Sequence, residues 1–322
     1  MSKPNSLFQL AVIVSALGFF VDVYDLLLFA IVRKPSLTDL GLSAEQVLSQ
    51  GEWLISIQMV GMLIGGVLFG ILGDKKGRLS VLFGSIFLYS IANILNGMVT
   101  TVPQYAVLRF IAGIGLAGEL GAGLTLVSEM LPKEKRSIAA GLIAGFGVLG
   151  AVFAFVTNQF WDWRTCYYIG GGMGLLLLVM RVSVQESGLF KQVKHAAVQR
   201  GNFWMFFNNG ERFLRYLKCI LIGLPVWYII GVLVTFSDQF GKAFGIPGIN
   251  PAKAIMMLYL GVGLGDFCVG WLSQRLQSRK KTLYLFYGIT IFFTGLFFLQ
   301  NGGSATTFYL ICFGMGFGAG FN

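Results

Sequence analysis

The sequence predicts an all-α membrane protein, a six-helix N-terminal bundle followed by a partial C-terminal bundle of about four helices. Three observations lead there. Of 322 residues, 56% are hydrophobic and only 12% charged, with a mean hydropathy of +0.75, which is not the make-up of a soluble domain. Nearly uncharged runs recur that reach the length of about 18 residues or more needed to cross a bilayer as a helix. The basic residues collect in alternate connections, 18 on one side against 5 on the other, with Arg109 left inside a span. That asymmetry puts the N-terminus in the cytoplasm. It also accounts for the net charge of +10 without a nucleic acid.

Ten spans are expected, near 8–32, 51–73, 79–99, 103–130, 137–159, 165–183, 215–237, 253–273, 282–300 and 304–322. Residues 1–183 form the N-terminal bundle, 184–214 a polar cytoplasmic linker, and 215–322 the partial C-terminal bundle with helices 7–10. The linker carries an aromatic patch (Phe203, Trp204, Phe206, Phe207) suited to anchoring at the inner face. The first span holds two acids and no small-residue cleavage site, so it is a span and not a secretory leader. The lipid bilayer is therefore a partner, and an inner or plasma membrane the expected location.

The turn between the second and third spans reads Gly70-Ile-Leu-Gly-Asp74-Lys-Lys-Gly77-Arg78. Its charges cannot enter hydrocarbon, so the chain surfaces there and re-enters within a few residues, which needs glycine. This pattern resembles the signature loop between helices 2 and 3 of the major facilitator superfamily, with Leu79 where the family usually has another basic residue. A repeat supports two bundles: Gly70-Ile-Leu recurs as Gly270-Trp-Leu, and Gly113-Ile-Gly115 as Gly314-Met-Gly316, 200 and 201 residues on. In the second turn Gln274 and Gln277 replace the acid and the glycine. The tenth span would reach about 331 by analogy with the fourth, so a chain truncated before two further spans is expected.

Ionisable residues within spans carry the functional reading, because each costs on the order of 2.5–3.5 kcal/mol to insert. Asp22 and Asp25 are three apart and share a helix face. Arg109 and Glu119 lie on the fourth span. With the first span ending near 32, Asp25 and Arg109 both fall roughly 9 Å from the outer end, which predicts an ion pair. Glu119 lies deeper, with no equally evident partner. Val-Tyr-Asp25 and Arg109-Phe-Ile-Ala-Gly113-Ile-Gly115 resemble the Gly-Tyr-Asp and Arg-x-x-x-Gly-x-Gly of proton-coupled sugar porters. The resemblance implies that Asp25 accepts the coupling proton and Arg109 tunes it; Asp22 and Glu119, as ionisable residues inside spans, are further proton-coupling candidates. A static buried pair that fixes helix register is the alternative.

Gln58, Asn93, Asn96 and Asn158 are candidate substrate contacts, although such amides also join helices. Glu129-x-x-Pro-x-x-x-Arg136 and Glu186-Ser-Gly resemble loops of sugar and organic-anion porters. With Gly70, Asp74, Gly77 and Arg78 they are read as a conformational latch. The glycine pairs Gly61/Gly65, Gly66/Gly70 and Gly141/Gly145 allow close helix packing.

The reading is a secondary transporter, not an enzyme: proton-coupled symport of a small polar solute, an organic anion or a sugar, by alternating access. Efflux by proton antiport, for which the fifth span lacks the proline-glycine signature, is the alternative within the fold. A non-transporting sensor or defective fragment is the alternative outside it. No cofactor or metal is expected. Cys166, Cys219, Cys268 and Cys312 are dispersed, His195 stands in a polar stretch, and no nucleophile–base pair or phosphate loop occurs. A monomer that binds its substrate and protons is expected.

Overall fold

A computed structural model of the protein describes residues 10–130, 133–182 and 201–320, with side chains described except at 10–12, 78, 120–130, 133–142 and 206. The chain divides into two compact units, Met1–Phe203 and Trp204–Asn322. Unit 1 comprises α1 (Leu10–Asp39), α2 (Ala44–Lys76), α3 (Arg78–Asn96), α4 (Val102–Met130), α5 (Lys133–Phe160) and α6 (Trp163–Arg181). After a 3₁₀ turn (Phe203–Phe206) come α7 (Gly210–Tyr228), a π-helical continuation (Ile229–Val234), a short α8 (Ser237–Ala243), α9 (Pro251–Arg275), α10 (Arg279–Phe298) and α11 (Ala305–Ala319). Among the described residues no strand occurs, and seven helices are long and apolar enough to cross a membrane.

Helix starts follow local chemistry. Ser43 and Gln46 form a reciprocal capping box at α2, while Asp162, Asn209, Asn250 and Ser304 each accept from a backbone N–H of the helix that follows. Between α2 and α3 a single residue is non-helical. Gly77, at φ 106° and ψ 156°, occupies backbone space open essentially to glycine alone, so the basic turn reverses the chain in one step.

In unit 1, α2 packs along α4, α1 along α5, and α3 against both α4 and α6. Gly61 and Gly65 of α2 lie against the backbone of Phe110 and Ile114, and Gly113 of α4 lies against the Gln58 carbonyl, so a Cβ at any of them would force the two helices apart. Gly66 and Gly70 behave differently: a Cβ there would meet nothing within 4 Å. α1 also touches α4 and α6, which turns its buried aspartates towards those two helices.

α1 does not end near 32 but continues through Pro35 to Asp39. The charged pair Arg33-Lys34 had read as a loop. Arg33 is instead buried, its stem filling the space left by the missing side chain of Gly51.

Unit 2 repeats the α2–α3–α4 packing in α9–α10–α11, in a register that corrects the sequence alignment. Gly261 and Gly265 lie against Phe313 and Phe317 as Gly61 and Gly65 lie against Phe110 and Ile114. Gly316 meets the Leu258 carbonyl as Gly113 meets that of Gln58, and Gly318 meets Thr290 as Gly115 meets Tyr89. Gly113 and Gly115 thus correspond to Gly316 and Gly318, not to Gly314 and Gly316. Longer connections cause the slip: three residues join α9 to α10 where one joins α2 to α3. In this register Cys312 takes the place of Arg109 and Leu258 that of Gln58.

Candidate functional site

Among the described residues, two buried polar clusters lie inside unit 1. The ends of the helices near Asp39, Val102 and Trp163 are here called upper, and the opposite ends lower. The upper end is pinned by Arg164, whose Nη1 donates to the carbonyls of Gly97 (3.1 Å) and Val99 (2.9 Å) and whose Nη2 pairs with Asp39 at 3.4 Å. Trp163 Nε1 also donates to Asp39, at 3.2 Å. Nearby, the exposed N-cap Asp162 has its carboxyl held below the ordinary range, chiefly by the Thr165 hydroxyl that donates to it.

The first cluster contains Asp25, Asn93 and Arg109, each fully buried. Arg109 Nη2 donates to Asn93 Oδ1 at 2.7 Å, and its guanidinium lies 4.9 Å from the Tyr167 ring and 5.9 Å from that of Phe29. Tyr167 is held in turn by Tyr105 at 2.6 Å, O to O. Arg109 Nε and Nη1 make no hydrogen bond. The Asp25 carboxylate fits against Gly170 of α6, where any Cβ would strike it. On the same turn of α1, the Tyr24 hydroxyl donates to the Cys166 carbonyl at 2.8 Å and lies 3.2 Å from Thr157 Oγ1, tying α1 to α5 and α6.

The expected direct Asp25–Arg109 ion pair is not closed. The two are within electrostatic range, but no N–O contact between them reaches 4 Å, and the Asn93 amide stands beside Asp25 short of good hydrogen-bond geometry. The depth of α1 is the reason. Fourteen residues separate Asp25 from the end of its helix at Asp39, whereas seven separate Arg109 from Val102. At about 1.5 Å per residue the acid lies deeper than the arginine by roughly 10 Å of helix, which the long arginine side chain and Asn93 span.

The second cluster is lower. Glu119, which seemed partnerless in the sequence, forms a buried ion pair with Arg181 at the end of α6; each is 2% exposed. Asp22 lies within electrostatic range of both. Gly18 makes the space, since a Cβ there would collide with the Arg181 guanidinium and the Glu119 carboxylate. Arg181 had been counted among the cytoplasmic loop cations. Depth alone could have found it, because Glu119 is seventeen residues from Val102 and Arg181 eighteen from Trp163.

The Major Facilitator Superfamily model matches residues 9–322. The chain belongs to that family. Relatives of this facilitator include the sialic acid transporter NanX of Escherichia coli, 27% identical over 297 residues that cover 90% of this chain and 71% of that one. Another is the niacin transporter NiaP of Acinetobacter baylyi, 30% identical over 318 residues covering 88% and 71%. Among solved structures, the proton:xylose symporter XylE of E. coli superposes with a TM-score of 0.67 at 16% identity, over 97% of this chain and 80% of that one, a likeness of fold. The protein is a multi-pass facilitator-type transporter and not an enzyme.

The remaining candidates of this facilitator are spread out. Gln58 is buried with its Nε2 unbonded. Asn96 donates its amide to the Ala92 carbonyl of its own helix at 2.8 Å, and Asn158 is half-buried on α5. Of the latch residues, Gly70 and Gly77 are placed as described above, and Asp74 is half-buried at the end of α2. The side chains of Arg78, Glu129 and Arg136 and the whole of Glu186 lie outside the described residues.

Proposed function

We propose that the protein is a proton-coupled symporter of a small organic anion, working by alternating access with its N-terminus and lower helix ends in the cytoplasm. The observation that carries this reading is the open pairing of Asp25 with Arg109. An acid and a guanidinium share a dry interior without pairing: Asn93 accepts from Arg109 and only stands beside Asp25, and the guanidinium Nε and Nη1 make no hydrogen bond. A buried cation with free donors favours an anion, such as a carboxylate. Asp25 then carries the coupling proton: protonated, it leaves Arg109 to the substrate; ionised, it competes for the same cation.

Two further facts support it. The second copy of the repeat holds Cys312 and Leu258 where the first has Arg109 and Gln58, so the fold itself does not require the buried polar groups. The relatives are named for sialic acid and niacin, both of which carry a carboxylate. Gln58 and the Asn93 amide nitrogen are the best placed of the polar groups to add substrate contacts, since both are buried and unspent. Asn96 and Asn158 are the weaker candidates. The Gly70–Arg78 turn, with Glu129, Arg136 and Glu186, serves as the inner latch. Positive charge beside the lower ends of the helices supports the orientation.

Proteoliposomes with an alkaline lumen, offered a panel of labelled small carboxylates and sugars, test this reading. Accumulation of a carboxylate that collapses with the pH gradient is the expected result. Uptake indifferent to the gradient, or driven by the opposite gradient as an antiporter requires, contradicts it.

A further inference from the structure

The lower cluster is not used by the Asp25–Asn93–Arg109 chain. It sets two carboxylates against one guanidinium. Arg181 is committed to Glu119, while both oxygens of Asp22 are buried without a hydrogen-bond partner, as are Glu119 Oε2 and Arg181 Nη1. The charged and titratable groups acting on Asp22 are Glu119 from α4, Arg181 from α6 and Asp25 one turn along its own helix. Tyr89 of α3, whose buried hydroxyl is also unbonded, belongs to the same neighbourhood. The described side chains of α5, residues 143–160, include no charged group. With both acids ionised the cluster would hold a net charge of −1 in a dry interior, a state that buried groups escape by taking up a proton.

We propose that Asp22, Glu119 and Arg181 form a second proton-binding site, in which Arg181 neutralises Glu119 and Asp22 binds and releases a proton. The step is simple: the Asp22 carboxylic acid gives its proton to water at the lower side and becomes a carboxylate. Arg181 is a positioning residue. It reaches into the cluster from the last turn of α6, where its neighbour Val182 is 73% exposed, so a small change at that helix end alters the counter-charge felt by both acids. The inference rests on the reading of unit 1 as a proton-coupled core, but it concerns residues other than Asp25.

Infrared difference spectroscopy of the purified full chain, taken through a pH titration, reads buried carboxyl groups directly and needs no substrate. Beside the exposed carboxyls and the half-buried Asp266 of α9, which every variant shares, the wild type is expected to show two titrating carboxylic acids in unit 1. Asp22→Asn removes one, and Asp22→Glu restores it, which separates loss of the site from misfolding. With Asp22 intact, Arg181→Gln moves the Asp22 transition to higher pH by about one to three units, and Arg181→Lys largely reverses this. The proposal is overturned if Asp22→Asn leaves the signal whole, or if its band persists unchanged at every pH, the mark of a fixed structural proton. Asp25→Asn runs alongside. If that variant abolishes both unit 1 transitions, the second site does not exist while the Asp25 reading stands. If it removes nothing and Asp22→Asn does, the second site stands and the Asp25 reading falls.

Discussion

Replacing Arg181 by methionine keeps most of the side-chain volume and removes the cation that pairs with Glu119, the only one at the lower cluster among the described residues. Glu119 would then be a buried carboxylate, 2% exposed, with no counter-charge. It cannot remain ionised there and must take a proton. At pH 7 that neutralisation costs about 3.7 kcal/mol, the distance from an ordinary glutamate value near 4.3 at about 1.36 kcal/mol per unit. The figure falls within the 3–5 kcal/mol typical of breaking one partner of a buried pair. The same arithmetic gives about 1.6 kcal/mol at pH 5.5, so the defect should shrink by about 2 kcal/mol as pH falls between those values. Pairing Arg181→Met with Glu119→Gln removes both charges and should recover most of the loss, because a neutral pair needs no proton. Unfolding of wild type, both single variants and the double variant in detergent, at the two pH values, measures all of this. A penalty for Arg181→Met that is independent of pH, or one that the double variant retains in full, would show that the pair is not held as charges.

Three further outcomes follow from the geometry. Gly77→Ala forces a side chain into glycine-only backbone space and should cost about 1–3 kcal/mol by thermal unfolding. Its counterpart Gln277 holds φ 46° with a side chain, so Gln277→Gly should stabilise by about 1 kcal/mol. Asp162→Ala removes the α6 cap at about 1 kcal/mol. Because the Thr165 hydroxyl holds the Asp162 carboxyl below its ordinary range, the cap is at full strength above that range and fades as pH falls through the lowered value. An acid unfolding limb that is unmoved in Asp162→Asn would contradict this part.

The helices were legible because charge cannot enter hydrocarbon: every basic turn, Gly77 above all, marks a surfacing of the chain. The pairing of acids with arginines was less legible, because it depends on depth. Ending α1 near 32 put Asp25 level with Arg109, and the seven residues to Asp39 undo that match. Arg181 was lost for a related reason. Hydropathy sees a cation at the edge of an apolar run as a loop residue, whereas the space over Gly18 lets its side chain turn inward. The repeat was visible as a pattern but not in register, because Gly314-Met-Gly316 and Gly316-Phe-Gly318 match the first copy equally well as strings. Only the backbone that each glycine faces decides between them. The hydroxyl pairs Tyr24–Thr157 and Tyr105–Tyr167 had no sequence signal at all, since their members are far apart in the chain and uncharged.

Asp25→Asn, reconstituted in liposomes and supplied with whichever carboxylate the wild type accumulates, tests the central claim most directly. The amide mimics the protonated acid, so exchange of labelled for unlabelled substrate at equal pH should continue while accumulation driven by a pH gradient disappears. A variant that still concentrates the substrate against its gradient to the wild-type level would contradict the account.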